Sequence, residues 1–360
     1  MTPSPGVWGA ALGVVATGVA IGLAAERAVV GRVRLRPDPG AAEPFFRLPA
    51  DRTRTVTTED GVALHVEEVG PAGGPGTEEL TVVLVHGYVQ EMAVWHFQRT
   101  ALAADGRYRV VLYDHRSHGR SARGSAERST IDQLGRDLGT VLDAVAPTGP
   151  VVLVGHSMGG MTIMSLADAR PELFGGRVVG VALIGTSAGK LATVTFGLPT
   201  AVLPVTRRVL PLLTRGMTKR PRPFERSRRV GSDLAFLLTR RGGFGSADVS
   251  PALVDFVATM GAHTPVDVIA EFYDTFLSHD KLAALDVLRG LEVLVVVGSD
   301  DLLTPVDHSR DLADALPDGE LVVVDGAGHM VALERPDVVG RALEGLLQRV
   351  LARRDAERTA

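Results

Sequence analysis

The chain has 360 residues, room for one large α/β domain carrying an insertion or for two ordinary domains. Hydrophobic residues at 45% and charged residues at 22% sit near globular averages, which excludes wholesale disorder, a collagen-like fibre and a polytopic membrane protein. A net charge of -4 argues against nucleic acid as a partner, and the absence of cysteine removes disulfides, thiolate catalysis and cysteine zinc sites together.

In chain order, the first feature is residues 7–25, an uncharged, Gly- and Ala-rich apolar run. At about 1.5 Å of helical rise per residue it nearly matches a hydrocarbon core of about 30 Å. No Lys or Arg precedes it, whereas Arg27, Arg32, Arg34 and Arg36 follow, so the basic start of a secretory signal is missing. The positive-inside rule then keeps the Arg-rich side cytoplasmic. The expectation is a membrane anchor with the rest of the chain in the cytoplasm. The competing readings are secretion by an atypical signal peptide and a helix packed on the domain. Residues 37–50, with Pro37, Pro39, Pro44 and Pro49, read as a linker that closes an N-terminal unit at residues 1–50.

Residues 53–58 and 62–69 flank Asp60-Gly61, a hairpin signal. Continuously apolar runs follow at 81–85, 109–113, 151–154, 178–184, 292–297 and 321–324, as expected for parallel strands covered on both faces. Between them Ile131, Leu134, Leu138, Val141, Leu142 and Val145 form one helical stripe after a capping box, Thr130 to Gln133. A hairpin followed by βα units predicts a doubly wound, mostly parallel sheet. The core would occupy residues 51–189 and 290–360, interrupted by an insertion at 190–289 that reads as a helical cap over the C-terminal edge of the sheet, where ligands of open α/β sheets bind. Within the cap, residues 207–229 carry nine basic residues against one Glu. They read as a solvated helix face or as a contact with anionic lipid headgroups.

The run 151–154 enters Gly155-His156-Ser157-Met158-Gly159-Gly160 and then an apolar helical stretch. A serine on a sharp strand-to-helix turn needs small neighbours, so that the backbone can take a strained conformation and the helix can approach the strand. Ser157 is therefore the candidate nucleophile. The amide of Met158, at a helix N-terminus, is a candidate oxyanion donor.

At this motif the chain resembles the serine-hydrolase branch of the α/β-hydrolase superfamily, over about residues 53–352. The resemblance includes His86-Gly87-Tyr88, which implies that the backbone N–H of Tyr88 is the second oxyanion donor. It also includes Asp114-His115-Arg116-Ser117-His118-Gly119-Arg120-Ser121, a structural loop in the family, with Ser117 where glycine is usual. His86 and Arg116 read as scaffold and His156 as a packing residue. The family's order of nucleophile, acid and base places the base at His329, in Asp325-Gly326-Ala327-Gly328-His329-Met330. Its pattern Gly-x-x-Asp-x-x-x-Pro selects Asp301 over the adjacent Asp300 as the acid.

What the resemblance implies is hydrolysis of carboxylic esters through a Ser157–Asp301–His329 triad, with no metal or organic cofactor. The apolar cap points to an apolar acyl ester of small-molecule size, such as an acylglycerol. Thioesterase, C–C hydrolase and cofactor-free perhydrolase chemistry use the same triad and stay open, as does a non-catalytic binding scaffold. A serine nucleophile excludes the branches that use Asp to attack alkyl carbon.

Overall fold

The computed structural model describes residues 40–71, 80–194 and 232–359, together with Gly31 and Asp38. The apolar run at 7–25 and the basic run at 207–229 lie outside the described residues. Among the described residues no single helix is long and apolar enough to cross a membrane.

Eight strands form one sheet in the order β1-β2-β4-β3-β5-β6-β7-β8. They are β1 (Arg52–Thr57), β2 (Ala63–Val69), β3 (Thr81–Val85), β4 (Arg109–Tyr113), β5 (Val151–His156), β6 (Val178–Ile184), β7 (Glu292–Gly298) and β8 (Glu320–Val324). The β1–β2 hairpin turns at Gly61, whose φ of +83° lies in the region that glycine tolerates. β2 pairs antiparallel with β1 and β4, and every other pair is parallel. After β3 the chain lays β4 on one side and then returns to lay β5 on the other. The β3/β5 boundary is therefore the switch point of a doubly wound sheet, where a crevice opens at the strands' C-terminal ends.

Alternation along the strands divides the core. Val83, Val85, Val111 and Leu153 face helices α2 (Ile131–Val145) and α3 (Met158–Ala169). Val82, Leu84, Val110, Leu112 and Val154 face α1 (His96–Asp105) and the C-terminal helix α8 (Pro336–Thr359). Successive side chains of a strand point to opposite faces, so an uninterrupted apolar run is what a sheet covered on both sides requires. Each fully buried Val or Leu contributes about 1.5–3 kcal/mol relative to exposure. The stripe predicted on α2 is buried throughout. Its N-cap is half of a capping box: Thr130 Oγ1 accepts from Gln133 N at 3.1 Å, while the Gln133 side chain turns to Asp137.

The described part of the 190–289 interval contains α4 (Ser232–Gly243), α5 (Pro251–His263) and α6 (Val266–Ser278); α7 (Val306–Ala315) follows β7. α5 and α6 meet at a bend of 94°. α5 buries Val254, Phe256 and Met260 in one half of the core, and α6 buries Val268 and Phe272 in the other. Both meet the segment after β3: His263 Nδ1 of α5 lies 3.2 Å from Glu91 Oε2, and Ile269 O of α6 accepts from the Tyr88 hydroxyl.

The segment read as a linker is instead packed where it is described. Phe45 stacks on Phe256 with ring centroids 4.2 Å apart, and Glu43 Oε2 lies 3.1 Å from His96 Nε2. Asp38 accepts from Ser250 Oγ at 2.5 Å and from Ala252 N at 2.8 Å, joining Ser250 in capping α5. Arg99 donates to Pro49 O at 2.6 Å. The described residues form a turn-rich strap, and its partners lie as far away in sequence as His263, whose ring centroid is 5.8 Å from that of Phe46.

Candidate active site

Ser157 stands between the last residue of β5 and the first of α3, at φ 53° and ψ −119°. A non-glycine residue held there costs on the order of 1–3 kcal/mol, so its surroundings must over-determine it. They do so with hydrogen bonds on both sides of the residue. Ser157 N donates to Ile184 O at 2.9 Å, and Ser157 O accepts from Thr186 Oγ1 at 2.7 Å and Gly160 N at 2.9 Å. The flanking glycines are steric requirements: a Cβ on Gly155 would lie 2.5 Å from Gly160 N, and one on Gly159 would strike the Val85 carbonyl. Ser157 is partly exposed while the residues on either side of it are buried, so its hydroxyl is reachable from the crevice.

The turn after β3 lies against the serine. A Cβ on Gly87 would approach Ser157 Cβ to 3.1 Å. Gly87 N is engaged by Gln90 Oε1 at 2.9 Å, whereas the amides of Tyr88 and Met158 have no protein acceptor among the described residues. Those two are the amides expected to receive an oxyanion. The Tyr88 hydroxyl donates to Ile269 O on α6, and its ring packs on Phe276 at 4.9 Å.

His329, 4% exposed, sits on the loop after β8 with Nδ1 2.9 Å from Asp301 Oδ2. Asp301 Oδ1 accepts from Leu303 N at 2.8 Å and Thr304 N at 2.9 Å, and Oδ2 accepts from Thr304 Oγ1 at 2.8 Å. Burial pushes the Asp301 carboxyl up, but His329 and the Thr304 donors outweigh it and hold the group below its ordinary value. An ionised Asp301 fixes the proton on Nδ1 and leaves Nε2 as the basic nitrogen. Asp300 points away, exposed, and accepts from Ser299 Oγ at 3.3 Å.

His156 was expected only to fill space, and it also makes polar contacts. Its Nε2 donates to His329 O at 2.9 Å, its Nδ1 lies 3.1 Å from Gln90 Oε1, and its ring centroid is 4.9 Å from that of His329. Burial pushes its pKa down to about 3, so it is neutral. The residue before Ser157 thus touches both the His329 loop and the turn after β3. Ser157 Oγ makes no hydrogen bond to the His329 ring in this structure, a bond that in uncomplexed enzymes often tightens only with substrate. Gln90 and Thr304 escaped the reading of the sequence because a side chain bonded to backbone or to one neighbour leaves no spacing signature.

Arg116 and His86 lie behind the site. Arg116, fully buried, bridges Asp137 at 2.6 Å and Asp60 at 2.9 Å, and His86 Nε2 accepts from His115 N at 2.9 Å. Ser117 has φ +65°, which explains why glycine is usual there; its hydroxyl accepts from Gly124 N at 3.0 Å.

A strained serine between a parallel strand and a helix, below a His–Asp pair on the loops after β7 and β8, defines a class of protein. Residues 81–336 match the α/β-hydrolase fold family, and the chain belongs to it. It is 30% identical over 279 residues to a protein of Azorhizobium caulinodans provisionally named carbamate hydrolase RutD, covering 77% of this chain and 92% of that one. It is also 30% identical over 294 residues to a non-heme chloroperoxidase of Streptomyces lividans, covering 79% and 96%. Among solved structures it resembles an esterase from Thermogutta terrifontis at 23% identity and a TM-score of 0.63, covering 83% and 99%. An enol-lactonase from Burkholderia xenovorans matches at 23% identity and a TM-score of 0.64, covering 82% and 100%. At those identities the structural likeness speaks to the fold. Membership of the family makes the protein a hydrolase.

Proposed function

We propose that the protein hydrolyses carboxylic esters through an acyl-enzyme on Ser157. The observation that carries this reading is the buried 2.9 Å contact between His329 Nδ1 and Asp301 Oδ2, on the loops facing the Ser157 elbow. His329 Nε2 takes the Ser157 proton as Oγ attacks the ester carbonyl, and the amides of Tyr88 and Met158 receive the oxyanion. The imidazolium then protonates the departing alkoxide. In the second half the same nitrogen takes a proton from water, whose oxygen attacks the acyl carbon, and returns it to Ser157 as the carboxylic acid leaves. Asp301 stays ionised throughout and stabilises the imidazolium.

Acyl esters of medium or long chain fit best. The support is compositional: Tyr88, Phe272 and Phe276 form an aromatic cluster beside the oxyanion loop. A second reading, hydrolysis of a carbamate, is favoured by the name of the Azorhizobium relative. It needs the same nucleophile acting on a less electrophilic carbonyl.

One panel separates these readings. Purified protein and its Ser157→Ala variant are assayed on p-nitrophenyl esters from acetate to laurate and on a matched carbamate, alongside labelling by a fluorophosphonate. Ester turnover that peaks above butyrate and falls to background in the variant is expected. Greater kcat/KM on the carbamate would favour the second reading, and a wild-type protein that neither turns over nor becomes labelled would reduce the fold to a binding scaffold.

A further inference from the structure

We propose that Glu334 is a positioning residue for His329, working by fastening the base loop to the segment that joins α4 to α5; this rests on the reading of His329 as the base. Glu334 ends the single helical turn Val331–Glu334 that follows His329, and only 8% of it is exposed. Its carboxylate accepts three backbone N–H groups from two stretches of chain. Oε1 accepts from Ser246 N at 2.6 Å, and Oε2 accepts from Gly328 N at 2.8 Å and Gly245 N at 3.1 Å.

Gly328 immediately precedes His329. On its other side, Met330 N donates to Gly243 O at 2.7 Å. The amides flanking the base are thus both bound, one to Glu334 directly and one to the α4 end that Glu334 also holds. The two strands of backbone touch closely: a Cβ on Gly328 would lie 2.5 Å from Gly245 N, and one on Gly245 would lie 2.7 Å from Ala327 C. His329 O is taken by His156. The base is therefore aimed from outside its own loop, and Glu334 is a side chain that hydrogen-bonds to both stretches.

A carboxylate suits this place because its two oxygens offer about four acceptor sites, whereas a carboxamide has one acceptor oxygen and would turn an NH2 toward the remaining donors. Losing the hold on Gly328 frees the loop to shift, and a displacement of about 1 Å at a reacting group can cost about 100-fold in rate. Substrate binding depends on other surfaces and should change little.

The test measures kcat and KM of the full chain on its best p-nitrophenyl ester, with active sites counted by fluorophosphonate labelling. Glu334→Ala should lower kcat per labelled site by about 10- to 100-fold with KM within about threefold, and Glu334→Gln, which keeps one acceptor, should fall between it and wild type. The Gln variant also covers the case in which the Ala variant fails to fold. A kcat per site within twofold of wild type in the folded variants, or a loss carried by KM, would overturn the proposal, as would a loss of labelled fraction alone. A wild-type enzyme without Ser157-dependent turnover would instead sink the reading on which it rests.

Discussion

At the scale of single residues, two adjacent carboxylates end the turn after β7. Asp301 is 4% exposed and bonded to His329, while Asp300 is solvated. Asparagine at 301 would preserve volume but present an NH2 or a neutral oxygen to the ring, losing control of the tautomer and the charge that stabilises the imidazolium. Asp301→Asn should therefore lower kcat by about 10³–10⁴-fold, while Asp300→Asn should stay within about twofold of wild type; equal losses in steady-state assays would show that the pairing is misassigned. The candidates Ser157, Asp301 and His329 were legible because an elbow forbids side chains at fixed offsets and because loop position follows strand order. Gln90, Thr304 and Glu334 were not, since their side chains bond to backbone amides or to one neighbouring side chain and leave no spacing signature. Even His156 could be read only as a neighbour of the serine until the chain brought His329 O to its ring.

At the scale of elements, the inner strands β3 to β7 were legible almost to the residue because burial on both faces leaves no room for polar interruption, whereas the edge strands β1 and β8 are largely exposed. The strap before β1 was misread for the opposite reason: prolines and polar residues dominate it, and its anchors, Phe45 on Phe256 and Asp38 on the α5 N-terminus, have no local counterpart. The stacked Phe45 ring is worth about 1–2 kcal/mol. Phe45→Ala should lower Tm by about 2–3 °C and speed amide exchange in α5 more than in the sheet. Unchanged melting and exchange would mean that the strap lies on the domain without supporting it.

At the scale of the molecule, buried histidines shape stability: burial lowers His279 and His308, and with them the four that are fully enclosed. Burial pushes His86 down to about 4 and His118 and His156 to about 3, and holds His115 well below its ordinary value of 6.5. They are neutral when folded but take up protons below about pH 6.5 once unfolded, so the unfolded chain binds more protons between about pH 6.5 and pH 4 and stability falls as pH falls through that window. Each can contribute up to about 1.4 kcal/mol per pH unit there. Glu91 and Asp114, raised by burial, act in the opposite sense and soften the slope. Calorimetry should show Tm dropping from pH 6.5 to 4.5, and a flat profile would contradict it. The 94° junction of α5 and α6 has no marker in the sequence beyond Pro265. One consequence concerns mechanical load. Asp38 is bolted to α5, whose last residue, His263, lies 3.2 Å from Glu91, next to the Gln90 that holds Gly87 N. A pull applied upstream of Asp38, by a surface or by a fused partner, would be felt first at the roof of the crevice and only later by the sheet.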